Sequence, residues 1–303
     1  MIHFKMSICI DVYNIIANYL PIQDSIKLQY LCENLFEFRM EHFVFNKFNS
    51  QFLEKHLESI VKLEIRRASK YGIVISDEIN DSIISKFKKL KYLILPGNQE
   101  ITDDGLTHLT GIHTLNLHSN KNITDNGLVH LKSIHTLYLS YGKNITDNGL
   151  THLKGIHTLD LGTNINVTND GLIHLKGIHT LNLYSNTNVT NDGLMHLKGI
   201  HALNLYSNTN ITDDGLIHLK NIHTLNLFYD NNITDNGLMY LKGIIRSSLN
   251  SNKNITDDGL INLRGINLLD LEHNENITEN GLVHIKGCLF SNKKLIGRYG
   301  FGR

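Results

Sequence analysis

The sequence predicts an α/β solenoid, with short parallel strands on a concave face, short helices on the convex side, and a small helical domain at the N-terminus. Two observations predict the solenoid and a third the extra domain. The block Ile/Val-Thr-x-x-Gly-Leu begins at Ile101, Ile123, Ile145, Val167, Val189, Ile211, Ile233, Ile255 and Ile277, a constant step of 22 residues. A fixed period of that length is the signature of stacked repeats. Inside each period the apolar residues recur every second position and then every third, as in a strand followed by a helix. The first sixty residues share neither pattern.

From the N-terminus, residues 1–45 form the candidate helical domain. Val12, Ile15, Ile16 and Tyr19 make one helical face; Ile26, Leu28, Leu31 and Leu35 make a second. Leu20-Pro21 ends the first helix, and Asp24 stands where it can cap the next. Residues 46–78 are expected to be a helical linker and a degenerate first repeat. The regular array covers 79–288, and Ile79, Ile84, Phe87 and Leu90 keep its spacing without the glycine. Residues 289–303 are a basic, glycine-rich cap or tail.

One unit shows the local logic. Leu115 and Leu117 alternate around a short strand with one buried face. Leu128, Leu131 and Ile134 then follow at intervals of three, one side of a short helix. Thr124 is a helix N-cap, Asp125 complements the positive helix end, and Lys132 complements the negative one. Gly155, Gly177, Gly199, Gly243, Gly265 and Gly287, with Asn221, occupy the left-handed position that ends the helix. Ser133 stands there in one coil and predicts a less regular ending.

The units resemble the leucine-rich repeat, Leu-x-x-Leu-x-Leu-x-x-Asn, and their Ile-Thr-Asp-x-Gly-Leu segment is similar to the cysteine-containing subtype found in F-box proteins. Asn stands where that subtype favours Cys, and the unit is short for it. The resemblance spans about residues 60–288. It implies nine to ten stacked strands at about 4.8 Å, a face roughly 45 Å long. The column Asn98, Asn120, Asn164, Asn186, Asn208, Asn252 and Asn274 would satisfy buried turn backbone from coil to coil. Gly142 and Asp230 interrupt that column and Ser247 replaces a buried Leu, so a weak point or kink is expected near residues 230–250.

In the N-terminal segment, Ile8-Cys9-Ile10-Asp11-Val12, Ile16, Leu20-Pro21, Asp24, Leu28 and Leu31-Cys32 resemble an F-box, with Ile8-Cys9 where Leu-Pro is usual. The resemblance implies contact with the adaptor Skp1 through Ile8, Val12, Ile16, Leu20, Pro21, Leu28 and Leu31, with the repeats holding an unknown protein substrate for ubiquitin transfer. A helical cap over the first coil is the alternative reading of the same residues. The Ile-, Asn- and Lys-heavy composition, two prolines and near-identical units are similar to F-box and repeat proteins of large DNA viruses of amoebae. On that resemblance the expected location is the cytoplasm, that of the host for a viral protein.

Strand residues facing away from the core form columns, and what differs between coils is the candidate site. Tyr184, Tyr206 and Phe228 lie on adjacent coils, with Tyr138, Tyr141 and Tyr229 nearby, an aromatic stripe of the kind enriched in binding hot spots. Aromatic residues stacked between coils also serve simply to stabilise neighbouring strands.

Other ladders look chemical. Histidine recurs from His113 to His223 and from His108 to His218 in steps of 22. Duplication of the unit explains this better than a metal site. Asn122-Ile123-Thr124 and its successors match the glycosylation pattern, but a buried Ile and a capping Thr argue against use. No nucleophile–base set, cofactor motif or metal motif stands out, so no enzyme is expected. Lys plus Arg and Asp plus Glu each number 29, which removes the electrostatic argument for nucleic acid or an anionic membrane. Cys9, Cys32 and Cys288 match no disulfide or metal framework, and no apolar run approaches the length of a membrane span.

Overall fold

The computed structural model describes residues 42–45, 57, 60–65, 79–229 and 232–291. Twelve short strands pair in parallel, each with its sequence neighbour, in a single sheet. They are β1 His42–Phe45, β2 Lys62–Ile65, β3 Tyr92–Ile94, β4 Thr114–Asn116, β5 Thr136–Tyr138, β6 Thr158–Asp160, β7 Thr180–Asn182, β8 Ala202–Asn204, β9 Thr224–Asn226, β10 Arg246–Ser248, β11 Leu268–Asp270 and β12 Leu289–Ser291. The expected nine to ten strands undercounted the sheet. β1 and β2 extend it into segments whose sequences lack the Gly-Leu block, because a strand needs only its alternating pair. No helix among the described residues is long and apolar enough to cross a membrane.

The helical half of each coil is a single α-turn such as Asp147–Leu150, followed by a 3-10 turn such as Thr151–Leu153. The spacing explains the switch. Leu150, Leu153 and Ile156 are all buried and sit three apart, the period of a 3-10 helix rather than an α-helix. The following glycines are left-handed, φ +82° to +87°, as is Asn221 at +70°. In the Ser133 coil the helix Asp125–Leu128 is not followed by a 3-10 element, and Ser133 is not left-handed. The less regular ending is therefore present.

Three side-chain ladders bind each coil to the next. In the buried asparagine column, Asn186 Nδ2 donates to Asn164 O (2.6 Å) and Val167 O (3.0 Å), while its Oδ1 accepts from Asn188 and Val189 amides. Just after the interruption at Gly142, Asn164 Nδ2 has no partner. A second ladder uses the asparagines of the Asn-x-Thr triplets: Asn188 Nδ2 reaches Ile165 O at 2.6 Å, and Asn144 reaches Lys121 O at 2.6 Å. These amides are already engaged within the stack.

The third ladder joins successive coils by two bonds at each step. Asp125 accepts the Thr146 amide (2.8 Å) and hydroxyl (2.6 Å) of the next coil, and Asp147 does the same for Thr168. Asn169 and Asn191 reverse one bond, donating Nδ2 to Thr190 and Thr212 at 2.8 Å. Those two threonines make no side-chain cap to their own helices, whereas Thr146 caps Asn148. This ladder also explains the glycine of the repeated block. A Cβ on Gly171 would lie 2.2 Å from Asp147 Oδ1 and 3.0 Å from Leu150 Cδ1.

The expected kink is absent from the sheet. β10 pairs with β9 and β11 in unbroken register. Ser247 is buried without penalty because its hydroxyl donates to Leu225 O at 3.1 Å. Asp230 lies outside the described residues.

Alanine is the better helix former by about 1 kcal/mol, yet Gly171→Ala should lower stability by about 1–3 kcal/mol because it overfills a closed contact. Denaturant unfolding measures this. A gain in stability would mean that the Asp147–Thr168 contact yields freely.

Candidate binding surface on the concave rim

The strand sequence sets up the site. At the end of most strands an Asn or Asp bonds the amide two residues on, bending the chain out of the sheet. Asn182, Asn204 and Asn226 accept from Tyr184, Tyr206 and Phe228 amides, each at 3.0 Å. This column, which alternation alone presents as solvent-facing polar residues, is therefore occupied in aiming the ring-bearing residues. The next residue in each turn is left-handed: Ser119, Tyr141, Thr163, Ser185, Ser207, Tyr229, Ser251 and His273, with φ from +53° to +65°.

The rings form one contiguous group. Tyr184 and Tyr206 centroids are 4.8 Å apart, Tyr206 and Phe228 4.7 Å, and Phe228 stacks on Tyr229 at 4.3 Å. Tyr206 also meets Tyr229 edge-on at 5.8 Å. Tyr141 joins from two coils away, 6.4 Å from Tyr184 and 5.0 Å from His118. Gly162 lies between them, and its missing side chain leaves Tyr184 room, since a Cβ there would be 3.3 Å from Tyr184 Cβ. Tyr141 and Tyr229 remain 45% and 49% exposed. The Tyr141 phenol pKa is raised, first by desolvation and then by Tyr184 and Asp160. Of the six aromatic residues expected at the site, five meet. Tyr138 lies in the column before them and contacts none of the five rings.

Tyr138 stands where other strands end in Asn or Asp, and a different network holds its turn. Ser140 is buried, donates to Asp160 Oδ2 at 3.0 Å and lies 2.6 Å from His118 Nδ1. This Ser, His and Asp do not form a nucleophile relay. The hydroxyl donates its hydrogen bond to the carboxylate, so His118 Nδ1 faces its oxygen as a donor rather than as a base. Only the departures of Tyr138 and Ser140 from the repeat pointed to this network.

The first histidine ladder is a continuous stack. From His113 to His223 successive ring centroids are 4.6, 4.4, 4.4, 4.4 and 4.1 Å apart. His113, His135, His157 and His179 each hold Nδ1 within 3.0–3.1 Å of the next residue's threonine hydroxyl. Among the described residues no three His, Cys, Asp or Glu side chains gather as metal ligands would. A further surface lay unread in the sequence: Ile173, Met195, Ile217, Met239, Ile261 and Val283 form an exposed apolar row along the helical side. The F-box-like residues Ile8, Val12, Ile16, Leu20, Pro21, Leu28 and Leu31 lie outside the described residues.

A family described as Leucine Rich repeat matches residues 218–242, one coil of the stack. The fold is that of a leucine-rich-repeat solenoid. No curated protein sequence matches the chain. Among solved structures, the chain is similar to one in the complex of Rad7 and Elc1 from yeast, with a TM-score of 0.58 at 15% identity, covering 93% of this chain and 87% of that one. It is also similar to internalin C2 of Listeria monocytogenes, with a TM-score of 0.51 at 26% identity over 62% of this chain and 83% of that one. A chain of the Drosophila Toll–Spatzle complex matches with a TM-score of 0.55 at 14% identity, covering 78% and 36% respectively.

One ring of the histidine stack ties stability to pH. His179 is held below its ordinary value of 6.5, first by desolvation and then by His157, His201 and His223. A base with a lowered folded pKa binds protons first in the unfolded chain. Its stabilisation is therefore whole above pH 6.5 and is lost as pH falls through the folded value. The melting temperature should drop between pH 7.5 and 5.5, and the drop should shrink when His157, His179 and His201 are all changed to Gln. Equal melting temperatures at the two pH values would exclude repulsion within the stack.

Proposed function

We propose that the chain is a substrate-recognition adaptor. In this reading the Tyr141, Tyr184, Tyr206, Phe228 and Tyr229 cluster receives a protein, while the N-terminal segment docks on a Skp1-like subunit of a cytoplasmic Skp1–cullin–F-box ubiquitin ligase. The observation that carries the binding half is the contiguous group of rings that the half-exposed Tyr141 and Tyr229 complete. Both tyrosines sit at φ +64° and +59°, a conformation that costs a side-chain-bearing residue on the order of 1–2 kcal/mol. The equivalent turn after β3 uses Gly97, so the turn does not call for a ring. Serine, threonine and histidine hold the same conformation in the other coils, so the ring is what Tyr141 and Tyr229 add; half-exposed and braced by neighbours, it suits a partner.

The mechanism is proximity. An adaptor performs no bond chemistry; it raises the effective concentration of a substrate beside a ligase. The F-box-like spacing of Ile8, Val12, Ile16, Leu20, Pro21, Leu28 and Leu31 supports the docking half. So does the likeness in fold to a structure in which Rad7 is bound to Elc1. The second reading is a free-standing repeat protein that binds or masks its partner without ubiquitin machinery, its N-terminal segment capping the first coil.

Tyr206→Ala and Phe228→Ala should each weaken capture of the partner by about tenfold or more, measured with partners recovered by the full chain; full retention would make the cluster structural. Co-purification with Skp1 should be lost on Leu20→Asp or Ile16→Asp. An unmodified chain that never retains Skp1 leaves the free-standing reading.

A further inference from the structure

The zero net charge of the chain conceals a separation of charge across the solenoid. At the edge where strands begin, one cation closes the helical half of eight successive coils: Lys132 and each twenty-second residue through Lys286, Arg264 being the one arginine. All eight are exposed. From Lys154 onward they share one backbone conformation, φ −54° to −57° and ψ 124° to 133°. The side chains therefore leave each coil at the same place. In-register pairing spaces them by about 4.8 Å, so the row is roughly 34 Å long.

Nothing among the described residues neutralises this row. Two residues before most of these cations, and three after, the neighbours are histidines, as in His152-Leu153-Lys154-Gly155-Ile156-His157. Among the described residues none of the eight has a carboxylate within ion-pair distance; Lys220 instead lies 5.9 Å above the Tyr240 ring. The exposed carboxylates Asp104, Asp170, Asp192, Asp214 and Asp258 lie at the other edge, where the helical turns start. Each lysine alone suits the end of a helical turn. Eight in file repel one another and lower stability unless an anion lies along them.

We propose that this edge binds a single-stranded nucleic acid through its phosphates. The row is one cation wide over eight coils, a line of one positive charge per ~4.8 Å. A duplex carries one negative charge per ~1.7 Å of axis, and each of its backbones winds away from a single file of cations. A flexible single strand follows the line and has the lower charge density that matches it. The row offers no free aromatic faces for bases, because the flanking rings from His113 to His223 stack on one another. Binding is therefore indifferent to base sequence.

The test is titration of the full chain with a labelled oligothymidylate of about 12 nucleotides. Affinity should fall steeply with salt, with about 0.7 of logarithmic slope per phosphate contacted. K176Q/K198Q should weaken binding at least fivefold and flatten that slope by about 1.4, with a melting temperature no lower than that of the unmodified chain. K121Q/K143Q removes the same charge from the other edge and should leave affinity within twofold. Three results would overturn the proposal: equal losses in the two double variants, a duplex of the same length binding as tightly, or anionic vesicles or a sulfated polysaccharide binding where the oligonucleotide does not.

Discussion

Each coil of this solenoid is incomplete until the next is laid on it, and the bond from an Asp at one helix start to the Thr of the following coil shows this most directly. Asp147 accepts both the amide and the hydroxyl of Thr168, which leaves the Thr168 oxygen free to accept from Asp170 and start its own helix. The same carboxylate occupies the space a side chain at Gly171 would need. Three positions of the repeat, the acid, the threonine and the glycine, are thus parts of one contact repeated along the stack. Where Asn169 and Asn191 replace the acid, the hydroxyl bond reverses and the cap is lost, so the contact survives with one bond fewer.

This constraint divides the surface. Turn residues consumed by the ladders cannot vary without stranding buried amides or carbonyls. The positions just after each strand carry no such duty, since their own amides are held by the Asn or Asp two residues back. Tyr184, Tyr206 and Phe228 sit at these released positions, and Tyr141 and Tyr229 at the left-handed positions just after them, where their amides bond the backbone of the next coil. The aromatic group is therefore both the most variable part of the array and rigidly aimed, which is the combination a binding surface needs. Gly162 completes it by omission, and the buried Ser140–Asp160 pair keeps the turn closed where Tyr138 has displaced the usual Asn.

Electrostatics follow the same repetition. A lysine that is unremarkable at one helix end becomes a line of charge when eight successive coils supply a cation there, and a histidine before six successive strands becomes a stack of rings near 4.4 Å. Whole-chain charge, the quantity read from composition, averages over two edges of opposite sign.

The 22-residue period, the alternation at Leu115 and Leu117 and the steps of three from Leu128 determined the fold, because a unit able to bury its apolar face only against a copy of itself has one way to stack. The buried asparagine column and the left-handed glycines were legible for the same reason: each is a local rule about one backbone position. Other features depended on which atoms of coil n meet coil n+1. The glycine in the Gly-Leu block, taken alone, is only a poor helix former; its cause is Asp147 from the preceding coil. Ser247 reads as a defect until Leu225 O is found opposite it, and Tyr138 reads as one of the stripe until the Asn it replaces proves to be a turn residue. Periodicity in the chain determined that coils stack, and only the tertiary structure decided what each side chain finds on the next coil, because those contacts join residues 19 to 23 apart whose side chains no local pattern orients.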